Sequence, residues 1–438
     1  MFSLQHHFEQ QLNRHSHGVK RWVIALSGGL DSVVLLDLAA RIIPAKHLSV
    51  IHVNHQLQSQ AGGWSSFCQQ LADQYQIEFK SIRVTVDAGA SVERAARNAR
   101  YQAFEQYLQS GDCLLLAQHR NDQAETLLYR LLRGAGLKGL AAMPRTREIG
   151  MAFLQRPLLS VSRDQLQSWA EKAQLNWIED PSNADLSYDR NYLRHQVMPL
   201  LRARWPGFEQ RWSDTADYLR DADQLLTELA QIDLQTVADE RNSLSCAGLN
   251  VLSIKRRDNL LRVWLAEQGL PAGAKVLMSI GQMIEAVDDS SPELKLSSVK
   301  LRRYRGRLYL TAEQNGIDWQ GRLLPEEGLH LPQGSLLVVK KLNGLRSLAG
   351  VTLRNRCDGD RCTPVGRGGS TSLKKLFQEN AVPPWQRKSW PVCILGDEIV
   401  AVPGICVCEG WQVEKDVAGF HLKWVPAALS VGSDSGTL

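Results

Sequence analysis

The stretch WVIALSGGLDSVVLL, residues 22–36, joins an apolar run of strand length to an apolar run of helix length through Ser-Gly-Gly, with an aspartate just beyond the glycines. A strand that breaks at glycines and resumes as a helix brings successive backbone N–H groups and the positive end of a helix dipole to one point, a seat for an anion. The glycines remove Cβ atoms, so a phosphate can approach the backbone. The spacing excludes two common phosphate loops: the Walker pattern with its lysine is absent, and so is the third glycine of the dinucleotide fingerprint. Ser27, Gly28, Gly29, Leu30, Asp31 and Ser32 therefore read as a phosphate loop of another kind, with the two serine hydroxyls as donors at its ends. A carboxylate beside a triphosphate repels it unless a divalent cation lies between, so Asp31 predicts Mg2+.

Outward from this loop, the first two hundred residues alternate strand-length apolar runs (22–26, 48–53, 79–86, 113–117 and one near 153–159) with helix candidates at 32–41, 64–75, 91–108 and 122–133. That alternation implies right-handed βαβ units and a Rossmann-like α/β fold, a parallel sheet with helices on both faces. Ligands of such sheets bind beyond the carboxyl ends of the strands. Three motifs would therefore converge: residues 27–32 after the first strand, His52 and Asn54 at the end of the second, and His119 with Asp122 after the fourth. Asp122 and Glu125 lie three apart on a helix and face one side; they are candidates for Mg2+ or for the ammonium of a lysine substrate. Arg97 and Arg100 share a helix face and could neutralise phosphates.

The chain of 438 residues exceeds one ordinary core and suggests about two to four domains. The expected division is 1–205 for the catalytic domain, 206–245 for a helical linker, 246–325 for a small, mostly helical basic domain, 335–428 for a small basic α+β domain and 429–438 for a flexible tail. No secretion signal opens the sequence and no run approaches the ~18 apolar residues of a membrane span, so a cytoplasmic protein is expected. Eight cysteines are too sparse for a disulfide scaffold. The close pairs Cys357/Cys362 and Cys406/Cys408 lack the spacing of a zinc site and are expected to be small core residues.

The overall charge of +5 is mild, but it is unevenly spread. Residues 340–388 carry eleven Lys/Arg against three acids, and 295–307 carry six against none. With Tyr304, Trp385 and Trp390 interleaved, these runs suit the backbone and exposed bases of a folded RNA. Arg302, Arg303, Arg305, Arg361, Lys374, Lys375, Trp385 and Arg387 are the candidates there, joined by Arg190 and Arg194 after the Asp-Pro turn at 180–181.

SGGLDS closely resembles the PP-loop of N-type ATP pyrophosphatases. Further stretches resemble, within that superfamily, the tRNA(Ile)-lysidine synthetase family: IHVNHQLQ (51–58), SVERAARNARYQAF (91–104), LAQHRNDQAETLLYRLLRGAGLKGLAAM (116–143), RPLL (156–159), DPSNADLSYDRNYLRHQVMPLL (180–201), and RNRCDGDRCTP with KKLFQENAVPPWQRKSWPV (354–393). The resemblance implies ATP and Mg2+ as cofactors, with free L-lysine and an isoleucine tRNA bearing a wobble cytidine as partners. It also implies catalytic roles for Asp31, His119, Asp122 and Arg97, and a metal at Asp31 and Asp122. The expected reaction joins lysine to C2 of that cytidine through an adenylated intermediate, with AMP and pyrophosphate released. A PP-loop cytidine thiolase and a non-enzymatic RNA-binding protein are the alternatives, and a homodimer stays open.

Overall fold

A computed structural model describes residues 3–14, 17–55, 61–85, 92–239, 242–286, 292–297, 299–312, 320–322, 329–331 and 334–426. The expected flexible tail at 429–438 lies outside these residues, as do residues 56–58 of the second-strand motif. The chain divides into two compact units, Met1–Leu225 and Leu226–Leu438.

The first unit contains helices α1 (Leu4–Asn13), α2 (Leu30–Ile42), α3 (Ala61–Gln74), α4 (Val92–Tyr107), α5 (Arg120–Leu132), α6 (Leu137–Leu140), α7 (Arg163–Lys172), α8 (Asp189–Tyr192) and α9 (Met198–Arg204). Its strands are β1 (Arg21–Ala25), β2 (Leu48–Asn54), β3 (Glu78–Arg83), β4 (Asp112–Leu115), β5 (Thr146–Ile149) and β6 (Ala152–Gln155), in the order β3-β2-β1-β4-β6-β5. The strand order reverses between β1 and β4, both parallel neighbours, so the loops leaving these two strands open the crevice where such sheets bind ligands. The sheet is parallel except at one edge. There β5 runs antiparallel to β6 as a hairpin, a strand missed in the sequence because Thr-Arg-Glu-Ile offers little apolar alternation.

Helix α2 is buried along nearly its whole length, from Leu30 to Ala39 except at Asp31, which explains its unbroken Val-Val-Leu-Leu run. The helix also buries Asp37, at a cost met by three donors. Arg41 Nε at 2.9 Å, the Tyr75 hydroxyl at 2.9 Å and Trp169 Nε1 at 2.8 Å all bond its carboxylate, tying α2 to α7 and to the end of α3. The α2 start that forms the anion seat is thus fixed from behind.

A long helix, α10 (Phe208–Val237), crosses the division between the units. The second unit continues with α11 (Cys246–Val251), α12 (Ile254–Glu267) and α13 (Ala274–Glu285), packed with a four-stranded sheet of β7 (Leu244–Ser245), β8 (Glu293–Leu296), β9 (Val299–Tyr304) and β10 (Arg307–Ala312). The segment expected to be mostly helical also carries this sheet, which contributes the smaller part of a chiefly helical core. Its C-terminal part builds two further sheets, one of β11 (Gln320–Arg322), β14 (Thr352–Asn355), β17 (Pro391–Leu395), β18 (Glu398–Val402) and β19 (Cys406–Val407), the other of β12 (Leu329–Leu331), β13 (Gly334–Leu342) and β20 (Ala418–Pro426). A small pair, β15 (Arg361–Cys362) with β16 (Thr371–Ser372), and helix α14 (Leu373–Glu379) complete it.

Leu36 is fully buried at the centre of the first unit's core. Leu36→Ala is expected to cost about 2–5 kcal/mol through lost burial and the cavity left behind. A urea melt should show a lower midpoint with an unchanged m-value.

Candidate active site

The loop after β1 is closed by its own side chains. Ser32 Oγ donates to the Gly29 carbonyl at 2.9 Å and accepts the Ser27 amide at 3.2 Å, with the Ser27 hydroxyl 3.0 Å away. Ser32, expected to contact phosphate, is largely buried and helps hold the loop, and it also lines the cleft. Gly28 has φ +88°, and a Cβ there would meet Ile178 Cδ1 at 3.0 Å and Cys68 Sγ at 3.3 Å. The segment carrying Ile178 is fastened to the loop, since its amide donates to the Gly28 carbonyl at 2.9 Å. The first turn of α2 leaves N–H groups that no intrahelical partner satisfies, directed at an open cleft of about 890 Å3.

The loop after β4 brings the acids. His119 is the N-cap of α5: its Nδ1 accepts the Asp122 amide at 3.4 Å, and its own amide donates to Asp122 Oδ2 at 3.0 Å. Because Nδ1 accepts, the neutral ring carries its proton on Nε2. That atom lies 3.6 Å from Asp31 Oδ2 and 3.5 Å from Asp122 Oδ2. Two carboxylates from distant sequence therefore share one donor. Burial opposes the charging of His119, but Asp122 and Asp31 outweigh it and hold the imidazole above its ordinary pKa. Burial likewise opposes the ionisation of Asp31, yet His119, then Arg163 and Arg194, hold its carboxyl below the usual range.

Asp31 and Asp122 line the cleft, and His119, 2% exposed, lies behind them. His119, expected to make a direct catalytic contact, is instead placed behind the two acids and against both of them. Arg194 differs more sharply from its expected place on a tRNA surface. Its guanidinium donates from Nε and Nη2 to Glu125 at 2.8 and 2.7 Å and from Nη2 to Asp122 at 2.9 Å. Burial raises the Glu125 pKa against this pull, and the acids around Arg194 raise its own. Glu125 is thus already paired and does not line the cleft, whereas Asp31 and Asp122 do, together with Glu179 and Asp180. Asp31 Oδ1 is buried without a hydrogen-bond partner. An unpartnered carboxylate oxygen beside a second acid, at the mouth of an anion loop, fits a hard divalent cation.

Other expectations shift. His52 lines the cleft, and its Nδ1 also bonds the Leu26 carbonyl at 2.8 Å, tying β2 to the loop; burial lowers its pKa. Asn54 lines the cleft, and so does Arg100. Arg97 does not: its guanidinium sits 5.1 Å over the Tyr101 ring, next to that of Arg147 at 4.8 Å. Arg163 and residues 177–184 also line the cleft, although no spacing pattern in the sequence marked Arg163. The GAGLKG turn closes α5 as a C-cap, with Gly134 at φ +70° and Arg130 bonding the carbonyls of Gly139 and Ala142 at 2.7 and 2.9 Å.

In the second unit, several residues expected to meet RNA are joined to each other. Trp385 packs edge-on against Tyr304 and Tyr309, with centroids 5.9 and 5.5 Å apart, and Arg302 lies 5.2 Å over its ring. Arg387 bonds the Tyr304 hydroxyl at 3.2 Å and Arg305 bonds the Gln378 carbonyl at 2.8 Å, while Arg303 is only 5% exposed. Interleaved arginines and aromatics thus build a joint between β9–β10 and the C-terminal part, where the sequence suggested an RNA face. Arg361, Lys374 and Lys375 remain exposed, and in the first unit Arg190 lies half-buried, 5.9 Å over the Tyr129 ring.

Two carboxylates raise the His119 pKa, so removing one should withdraw part of that support. The folded pKa of His119 lies above its unfolded value near 6.5, so its stabilising contribution is complete below that pH and lost as pH rises through the raised value. The Asp31 contribution has the opposite sign, present above 3.8 and lost as pH falls through the lowered value. An imidazole NMR titration of Asp31→Asn should show a lower His119 pKa than in the wild type. An unchanged value would mean that the pair does not interact.

Three family models match the chain: a PP-loop domain over residues 4–201, a TilS substrate binding domain over 244–309 and a TilS substrate C-terminal domain over 351–424. The tRNA(Ile)-lysidine synthase of Coxiella burnetii (strain RSA 493 / Nine Mile phase I) is 39% identical over 92% of this chain and 93% of its own length. That of Pseudomonas fluorescens (strain Pf0-1) is 40% identical over 94% of each. Among solved structures, a U34-tRNA thiolase from Methanococcus maripaludis covers 49% of this chain and 77% of its own at 17% identity, with a TM-score of 0.41. The loop at 27–32 and the paired acids behind it lie inside the first matched segment, and the relatives run almost the full length of the sequence, so the chain belongs to the tRNA(Ile)-lysidine synthase family of PP-loop enzymes.

Proposed function

We propose that this ligase adenylates O2 of the wobble cytidine of an isoleucine tRNA with ATP, and then joins free L-lysine to C2. In the first step the cytidine oxygen attacks the α-phosphorus and pyrophosphate leaves. In the second, the ε-amine, neutral at the moment of attack, forms the C–N bond, gives up its proton, and AMP departs with the former base oxygen. The modified base would pair with adenine and move codon reading and charging from methionine to isoleucine.

The observation that carries this reading is the meeting of Asp31 and Asp122 on His119 beside the anion loop. The amides of the loop and the first turn of α2 would hold the leaving pyrophosphate as charge builds on it. His119, between the two carboxylates, would hold both in place and keep the Asp31 carboxyl below its usual range. Asp31 and Asp122 would hold Mg2+, which when bound offsets the repulsion between carboxylate and phosphate. Arg100 and Arg163 line the same cleft and would add positive charge against the phosphates. Arg194 would keep Glu125 neutralised and Asp122 in place, so lysine would approach from the open side of Asp122. Arg190, Arg361, Lys374 and Lys375 would contact the tRNA backbone. No helix among the described residues is long and apolar enough to cross a membrane, which agrees with work in the cytoplasm, where all three substrates are found. A thiolase reading is disfavoured because Cys68 and Cys113 are 0% and 2% exposed, with burial pushing both thiols up to about 12.

Mixing the protein with ATP, lysine and unmodified isoleucine tRNA should release pyrophosphate and AMP together with a lysine-modified tRNA. Product formation that ignores lysine would sink the reading. Asp31→Ala should lower turnover by roughly a hundredfold or more, the scale of losing a main electrostatic group, while tRNA retention on a filter stays near wild type. Parallel loss of tRNA binding would instead assign Asp31 a structural role.

A further inference from the structure

The proposed chemistry uses none of the eight cysteines, yet three of them meet in the second unit. Cys362 ends β15, Cys406 opens β19 and Cys408 follows it, and their sulfurs all lie within 4.8 Å of one another. In the sequence they fall into two separate pairs, neither spaced for a metal. The fold breaks the first pair: Cys357 is exposed and its thiol bonds the Asn355 carbonyl at 3.9 Å, whereas Cys362 crosses to the second pair.

Backbone bonds hold this trio rigidly. Glu409 donates to the Thr363 carbonyl at 2.8 Å, Cys408 to Val400 at 3.0 Å and Val365 to Val407 at 3.1 Å. Cys362 and Cys408 are 6% and 3% exposed, while Cys406 is half-buried and leaves a path from solvent.

Ordinary core filling does not account for the arrangement. Cys393 shows what filling looks like: it is fully enclosed in the same core, and burial alone pushes its thiol up. Cys362, Cys406 and Cys408 instead turn their sulfurs toward one another from separate strands. Three sulfurs brought to one point offer a soft cation a ready set of ligands.

We propose that Cys362, Cys406 and Cys408 form a three-thiolate Zn2+ site whose fourth position is taken by solvent on the Cys406 side. Among the described residues the cluster includes no further cysteine, histidine or acid. Tetrahedral Zn–S bonds of about 2.3 Å set sulfurs about 3.8 Å apart, so the site needs to contract by no more than about 1 Å. Each Zn–S bond replaces an S–H bond and releases its proton to water, so affinity falls as pH falls. The ion would clamp residues 361–365 to 406–409 and fix the turn that presents Arg361.

The test uses the full-length chain, purified under argon without chelator. It should carry close to one zinc per chain. After its removal, Co2+ should give a thiolate-to-cobalt absorption band that saturates at one equivalent and is displaced by Zn2+. Cys406→Ser and Cys408→Ser should each weaken Co2+ binding roughly tenfold or more, and Cys357→Ser should leave it unchanged. Melting curves in EDTA check that the variants fold. Absence of the band in the wild type, or a band that survives both variants, would overturn the proposal. A disulfide joining two of the three would also overturn it, in favour of a redox pair.

Discussion

The cleft depends on one buried histidine. His119 Nε2 stands 3.6 Å from Asp31 and 3.5 Å from Asp122, and its Nδ1 caps the helix that carries Asp122. Two acids next to an anion seat would repel each other and the anion, and one of them would be expected to protonate. His119, a shared donor between them, eases that repulsion and holds the Asp31 carboxyl below its usual range. Asp31 Oδ1, left without a partner, is then the point at which a divalent cation can link protein to phosphate.

The surrounding fold serves to hold these groups. Asp37, bonded by Arg41, Tyr75 and Trp169, anchors α2. Arg156, 3% exposed, donates to Gln118, the Pro144 carbonyl and the Tyr101 hydroxyl, which fixes the strand end leading into α5. Arg194 reaches back across some seventy residues to pair Glu125 and Asp122. The three act on different elements, so the site's precision is distributed through the unit.

Much of the first unit was legible because its signals are local. Apolar runs separated by helix-length stretches announced the sheet, and Ser-Gly-Gly-Leu-Asp-Ser announced the anion loop. What was misread depends on pairing across distance. Ser32 has a second task, bonding Gly29 and Ser27, that exists only once the loop is closed. Arg194 looked like a surface cation because nothing in its neighbourhood names Glu125. Arg97 and Arg100 share one helix face by spacing, and only packing against Tyr101 separates the residue in the cleft from the one outside it. The basic aromatic runs were ambiguous for a physical reason: guanidinium–ring contacts stabilise a protein joint as readily as an RNA contact. The cysteines were read as pairs by spacing, while antiparallel strands reassorted them.

The central claim is that Asp31 and Asp122 together offer a divalent cation a place beside ATP. Mn2+ binding followed by electron paramagnetic resonance, with ATP present, measures this most directly. The account predicts one bound ion in the wild type, and weaker binding in both Asp31→Asn and Asp122→Asn while His119→Gln has the smaller effect. Mn2+ binding unchanged by either aspartate substitution would contradict it.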